Sequence, residues 1–459
     1  MSLEVGLGKF VSAFSVRDVP AAVRDTVERH ILDTIAVAVA AVPSRAGRSL
    51  VATARAEGMG GDCHVVGLSG GRSPAEAAWY NAALAHSLDF DDTGFTHSSA
   101  VVVPAALALA ETTSAGWDSV VDAVIVGYEV GASVARTLEE HEVMMRKRGV
   151  HPTAVLGAPA AAAVGARLLG LDAMAAAHAI ALASATAFGS TRQFGTWAKS
   201  LNAAIASRSG VSAALLAAHG FTGAIDAMTG SRGSLGAFVG EQAVGVTASL
   251  PRVHAGTWAI DDPGLYLKKY PACTLTLASI DAAIAMMAEA AATPTGVRRI
   301  RVDAHPYIFE ALRYDRPRSG MEGKFSLRWA LAAAVGYRAD IQSFEDSALE
   351  SAEFRRLMDT VEIVSHPEWP TDRRRHTRVR IELDRSAGAP MVLERECAPP
   401  VQMTAADAQA KAAECLRLGG GPDVADALLS GRRVVGVDDL THDLAWLGDE
   451  VAEYSRDVS

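Results

Sequence analysis

The stretch from Asn81 to Glu111, NAALAHSLDFDDTGFTHSSAVVVPAALALAE, concentrates groups able to move protons within an otherwise apolar run. Read as a helix, it spaces His86, Asp89 and Thr93 at i, i+3 and i+7, so the three share a face that Asp92 flanks. Polar side chains on a buried, alanine-rich helix are costly unless paired. The chain is expected to turn at Gly94 and reach His97-Ser98-Ser99 before a new helix. A carboxylate beside a histidine and a hydroxyl suits general acid–base work. A solvated helix C-terminus is the plainer alternative. His86, Asp89 and His97 could also ligate a metal, but they follow no recognised ligand spacing and none is expected.

Further along, His151-Pro152-Thr153 opens another alanine-rich segment, where the histidine is either a structural residue near a cap or a catalytic one. Phe194-Gly195-Thr196-Trp197-Ala198-Lys199 puts Lys199 at the head of a helix. It is either plain surface or, facing His97 and His151, part of a cationic pocket for an anionic ligand. Lys268-Lys269-Tyr270-Pro271-Ala272-Cys273 and Lys324-Phe325-Ser326 lead into further helices, and Cys273 reads as a buried, inert thiol. Gly67-Leu68-Ser69-Gly70-Gly71 matches a nucleophile-elbow pattern, but the next helix is capped only at Ser73, so a glycine turn explains it better. There is no phosphate-binding P-loop and no dinucleotide fingerprint between a strand and a helix. Nucleotide cofactors therefore have no support.

The elements that must position these groups divide into two textures. Residues 1–265 read as almost pure helix: Val23, Val27, Ile31 and Ile35 form an apolar stripe, and Ser73-Pro74-Ala75-Glu76 is a capping box. Alanine-rich helices are expected over 105–111, 118–137, 153–169, 172–187 and 199–219. After Pro251, alternation around Val297–Val302, Val361–Val364, Val379–Leu383 and Met391–Leu393 predicts strands, with helices over 273–292 and 324–338 between them. A second capping box at Thr404 starts helical texture that runs to the end. The expected fold is mainly α, with a helical domain of residues 1–265 plus 400–459 and an inserted α/β lid domain of 266–399.

Composition limits the function. The chain has 459 residues and a formal net charge of −10, which disfavours a broad nucleic-acid surface. Cys63, Cys273, Cys397 and Cys415 lie far apart, against a zinc ribbon or a disulfide framework. The opening MSLEVGLGKF lacks the pattern of a secretory signal, and no stretch reads as about 20 uninterrupted apolar residues, so a cytoplasmic protein without membrane contact is expected.

Taken together, these stretches resemble the MmgE/PrpD family. The likeness is carried by Ile31-Leu32-Asp33-Thr34, His86 through Thr93, His97, Gly127-Tyr128-Glu129, His151-Pro152-Thr153, Gly170-Leu171-Asp172, Phe194-Gly195-Thr196 with Lys199, Lys269 through Cys273, and Lys324-Phe325-Ser326. The resemblance implies a large helical domain built from both chain ends, a smaller α/β lid, a homodimer, and catalysis on small polycarboxylates without metal or organic cofactor. It places Asp89, Thr93, His97, His151 and Lys199 around a pocket between the domains. His97 or His151 would be the base or acid, Lys199 would neutralise charge, Asp89 would orient its neighbours and Thr93 would hydrogen-bond substrate. Asp92, Lys269, Tyr270, Lys324 and Ser326, in matching stretches, are expected to bind substrate as well. Lyase members usually carry Thr-His ahead of the Ile-Asp-Ala of the lid helix, whereas this chain reads Thr276-Leu277 ahead of Ala278-Ser279-Ile280-Asp281-Ala282. The usual His-Pro is His97-Ser98, and the segment before it is short. The chemistry expected first is a dehydratase or decarboxylase, next an epimerase or isomerase, and last a member that binds without turnover.

Overall fold

The computed structural model describes residues 2–58, 60–138, 142–229, 232–239, 248–385 and 389–419. The helical texture expected after residue 419 lies outside the described residues. The first part of the chain folds as helices α1 (Leu3–Ala13), α2 (Ala21–Ala41), α3 (Arg45–Glu57), α4 (Pro74–Ser87), α5 (Ser99–Thr113), α6 (Trp117–Thr137), α7 (Glu142–Lys147), α8 (Pro152–Leu168), α9 (Ala173–Ser184), α10 (Leu201–Ala218) and α11 (Ser234–Val239). The second part holds α12 (Thr274–Glu289), α13 (Gly320–Gly323), α14 (Leu327–Tyr337), α15 (Ala352–Thr360) and α16 (Ala405–Leu418). The fold is mainly α, as expected.

Small residues set how the helices of the first part pack. A Cβ on Gly210 of α10 would lie 2.3 Å from the Ala161 Cβ on α8 and 2.6 Å from its backbone, so the two helices touch nearly backbone to backbone. The stretch Trp197–Ala218 is long and apolar enough to cross a membrane, contrary to the sequence expectation, yet 56% of it is buried, and it packs against α4, α8 and α9.

Two short pairings interrupt what had read as pure helix. Strands β1 (Cys63–Val65) and β2 (Leu68–Arg72) form an antiparallel hairpin whose turn holds Gly67, so the G-x-S-x-G stretch is hairpin and not nucleophile elbow. The Ser73–Glu76 capping box follows it as expected. Strand β3 (Asp92–Gly94) pairs antiparallel with β4 (Leu265–Leu267), Thr93 opposite Tyr266, and the Lys268 N–H continues the ladder to the Asp91 carbonyl at 3.1 Å. This ladder brings Lys268 alongside the acidic segment, 179 residues after Asp89.

The expected sheet is present as β5 (Val297–Ala304), β6 (Val361–Ser365), β7 (Thr377–Leu383) and β8 (Met391–Cys397), in the order β6-β5-β7-β8 with only β5–β6 parallel. On β7, Thr377, Val379, Ile381 and Leu383 point into an apolar core shared with α12 and α14, separate from the core of the first part. Helix α16 departs from that second core. It packs on α2, and its Ala412, Cys415 and Leu416 join the first core.

Helix α16 also reaches toward the acidic segment. Lys411 Nζ, nearly buried, donates to Asp33 Oδ2 at 2.9 Å and to the Phe90 carbonyl at 2.6 Å, and rests 4.1 Å from the Phe90 ring centroid. Burial pushes the Asp33 carboxyl up despite the ammonium beside it. Lys411→Met would strand Asp33, which would partly recover by taking up a proton. We therefore predict a loss of about 2–3 kcal/mol, read as a lower urea midpoint. An unchanged midpoint would show that the pair holds nothing in place.

Candidate active site

The acidic segment is not a helical face. Helix α4 ends at Ser87, and Asp89 takes a left-handed φ of +53°, a conformation aspartate tolerates better than most residues. His86 therefore belongs to the last turn of α4, Asp89 to a tight bend, and Thr93 to β3. The bend folds His86, Asp89, Asp91 and His97 together, with one donor atom of each within 4.8 Å of the others.

Their hydrogen bonds fix which nitrogens carry protons. His97 Nδ1 lies 2.7 Å from the Asp92 carbonyl and 3.3 Å from Asp91 Oδ2. A carbonyl oxygen only accepts, so this nitrogen carries a hydrogen, and in the neutral ring the lone pair sits on Nε2. His86 Nδ1 donates to the Asp91 carboxylate at 3.0 and 3.1 Å, while its Nε2 accepts from Lys199 Nζ at 2.7 Å. Burial foremost, with Lys199 adding to it, pulls the His86 pKa down to about 4, so the ring is neutral. On His151, the Asn202 side-chain N–H donates to Nδ1 at 3.0 Å, and Nε2 lies 3.2 Å from Thr153 Oγ1. Burial, then Lys199 and the other two histidines, hold His151 well below 6.5. Asp91, shared by His86 and His97, is held well below the usual carboxylate range by those two rings despite full burial.

Asp89 does not orient the histidines. Its Oδ1 accepts from Lys199 Nζ at 2.8 Å and from Lys268 Nζ at 2.6 Å, and Lys268 also donates to the Asp89 carbonyl at 3.0 Å. The two ammonium groups overcome burial and hold Asp89 far below its ordinary value. Asp91 is the carboxylate that holds the two rings, and Asp89 is the one that holds the two lysines. The Lys199 ammonium bridges His86 Nε2 and Asp89 Oδ1, so a lysine already engages two of the four groups in this cluster.

Around this cluster lies a chamber of about 70 Å³ lined by Asp89, Thr93, His97, His151 and Lys199, all five expected there, together with Thr274, Cys273, Tyr307, Phe325 and Arg375 from the second part of the chain. The chamber opens at Thr93, Thr274 and Arg375 into a cleft of about 620 Å³ between the two cores. Thr93 Oγ1 and Thr274 Oγ1 meet at 2.6 Å across the opening. The Phe194-Gly195-Thr196 stretch closes the inner side. Phe194 sets its ring edge-on to His151 at 5.0 Å and stacks on Phe325 at 5.2 Å. Gly195, at φ +84°, leaves no room for a Cβ, which would lie 2.3 Å from the Tyr314 ring.

Five expected substrate ligands do not line the chamber. Lys269 Nζ pairs with Asp281 at 2.6 Å on the surface, and the Tyr270 hydroxyl donates to the same carboxylate at 2.9 Å. Ser326 caps α14, accepting from the Trp329 N–H. Asp92 faces the helical core, where its Oδ2 accepts from the Ser99 N–H at 3.0 Å and hydroxyl at 2.6 Å. Lys324 is buried and donates to the Pro271 carbonyl at 2.7 Å; burial pulls it down to about 8. Lys268, the neighbour of Lys269, is the one that reaches the site. Cys273 does line the chamber, half-buried, and burial followed by Asp89 pushes its pKa up, so it stays a thiol.

The two lowered histidines set an acid limit on the fold. Between pH 6.5 and 4 the unfolded chain binds protons that folded His86 does not, so stability present above 6.5 is lost as pH falls. His86 alone should cost about 2 kcal/mol by pH 5, and His151 adds to it in the same direction. Urea midpoints at pH 7.5 and 5.0 check this, and equal midpoints would contradict the neutral assignment.

The chain is similar to several known proteins. The human cis-aconitate decarboxylase is 30% identical over 314 residues, covering 65% of this chain and 62% of that protein. The Aspergillus terreus cis-aconitate decarboxylase is 31% identical over 213 residues, 44% of this chain and 43% of that protein. A cis-aconitate decarboxylase-like protein of Aspergillus oryzae is 32% identical over 219 residues, 45% and 44% respectively. Each likeness thus spans less than two thirds of the relative. The profile of the MmgE/PrpD N-terminal domain matches residues 5–247, and that of the C-terminal domain matches 270–428. With the first profile alone covering more than half of its length, the chain belongs to the MmgE/PrpD family.

Proposed function

We propose that this protein is a cofactor-independent lyase acting on a carboxylate substrate in the chamber, with the sheet-bearing part of the chain as its lid. The observation that carries the reading is His97, held through Nδ1 by the Asp91 carboxylate and the Asp92 carbonyl while its ring lines the chamber. In a dehydration, Nε2 takes the proton next to a carboxylate. The electron pair moves toward that carboxylate and then expels the β-hydroxyl, which takes the proton from the His97 imidazolium and leaves as water. In a decarboxylation, the breaking C–C bond leaves its electron pair on the adjacent carbon, to which protonated His97 delivers the proton. Lys199 spends two of its three N–H donors on His86 and Asp89, and the third faces developing negative charge. Arg375, at the opening, meets a substrate carboxylate.

One observation favours a second reading. His97 and His151 line the same chamber with ring centroids 6.3 Å apart. A base and an acid so placed suit proton removal and return, that is, an epimerase.

The test is incubation with cis-aconitate, citrate and 2-methylcitrate, followed by proton NMR. Loss of water or carbon dioxide from at least one, however slow, supports the lyase. Stereochemical inversion without loss supports the epimerase. A folded protein that neither binds nor changes any of them, nor any carboxylate bearing an alkyl chain, contradicts both.

A further inference from the structure

The chamber and its outer cleft differ in size and in chemistry. Space for one water-sized atom takes roughly 10–15 Å³, so the inner chamber of about 70 Å³ admits about half a dozen non-hydrogen atoms. That is enough for one carboxylate, the carbon beside it and a leaving group. The rest of any substrate must extend past Thr93 and Thr274 into the cleft of about 620 Å³. One stretch of the wall it meets there is apolar: Phe95, Met145 and Leu156 from the helical part, Leu277 and Ala278 on α12, and Tyr266 on β4. Leu277 is nearly buried, and Ala278 is half-buried beside it. Charged and titratable residues complete the lining: Arg136, Arg252, Asp262, Asp372, Arg374, Arg375 and His376, and several of them are engaged with one another or with neighbours. Arg136 donates to the Asp262 carbonyl at 3.2 Å, Arg252 pairs with the Asp262 carboxylate at 3.7 Å, and Arg374 stacks on Tyr307 at 5.2 Å.

We infer that the outer cleft is a subsite for an aliphatic extension, so that the substrate is a carboxylate bearing an apolar chain of several carbons. This rests on the reading of the chamber as a carboxylate site. A carboxylate placed against Leu277 and Phe95 would lose its water without gaining a partner, whereas the second carboxylate of a dicarboxylate meets Arg375 at the opening. A hydrocarbon chain there gains roughly 0.8 kcal/mol per buried methylene, a factor of about four in affinity.

The test is calorimetric titration of the full chain with succinate and its 2-methyl, 2-propyl and 2-pentyl derivatives. The expected result is a Kd that falls two- to fourfold for each added methylene. Ala278→Gln, at the surface of that wall, should flatten this dependence while leaving succinate affinity within about twofold. Leu277→Ala should do the same if the larger change to a buried side chain leaves the fold intact. A Kd that is flat or rises with chain length, while succinate binds, overturns the subsite and leaves the carboxylate reading standing. Binding of none of the four overturns both. An Ala278→Gln effect equal on succinate and on the pentyl derivative overturns the assignment of the wall.

Discussion

His97→Gln should lower kcat by a factor of roughly 10²–10⁴, the usual contribution of a positioned general base or acid, with KM nearly unchanged. The geometry argues for an effect of this kind on chemistry and not on binding. His97 enters the chamber as a ring whose proton is pinned on Nδ1, and glutamine can neither accept nor carry the proton through the step. Asp91→Asn should fall in the same range. Asparagine can still accept one hydrogen bond, but it cannot stabilise the imidazolium that forms on His97. It also cannot serve both rings as the carboxylate does at 3.0–3.3 Å. Because the two residues act as one unit, the double variant should be no slower than about the worse single one. Multiplicative losses, measured by steady-state kinetics on the best substrate found, would show that Asp91 works independently of His97.

Lys199→Met should cost roughly 10²–10³ in kcat, the range for removing one preorganised donor from developing charge. Methionine fills a similar volume, so the loss reports charge more than packing. The fold should survive, because Asp89 keeps the Lys268 ammonium at 2.6 Å, although the urea midpoint should fall as one of two buried ion pairs is lost. Lys199→Arg should not rescue activity: a planar guanidinium does not fit between His86 Nε2 and Asp89 Oδ1 beside a chamber of about 70 Å³. Full activity in the arginine variant would mean that positive charge alone, without this geometry, suffices.

Much of this arrangement was legible in the sequence, and the exceptions have physical causes. The sheet strands show because alternation of apolar and charged residues reports a half-buried surface directly, as on β7. The alanine-rich helices show because nothing in them breaks helix. The end of α4 was hidden: Leu88-Asp89-Phe90-Asp91 contains no glycine or proline, and the helix stops because Asp89 turns left-handed under the pull of two lysines remote in sequence. The choice between Lys268 and Lys269 was equally hidden. Strand alternation sends one of any neighbouring pair inward, and which one depends on the β3–β4 ladder, a pairing across more than 170 residues. The β1–β2 hairpin escaped notice because its strands are short and glycine-rich. Asp91 was the orienting residue missed, and its signal was present, since it lies five residues after His86 and six before His97 and so can reach both once the helix ends.

The central claim is that His97 moves the proton at the carbon beside a substrate carboxylate. The most direct measurement is proton NMR in deuterated water, comparing the wild-type chain with His97→Gln on whichever carboxylate the wild type turns over. Deuterium entering at that carbon in the wild type, and reduced at least a hundredfold in the variant, is the predicted result. Undiminished deuterium incorporation by a folded His97→Gln protein would contradict it and move the proton transfer to another group in the chamber.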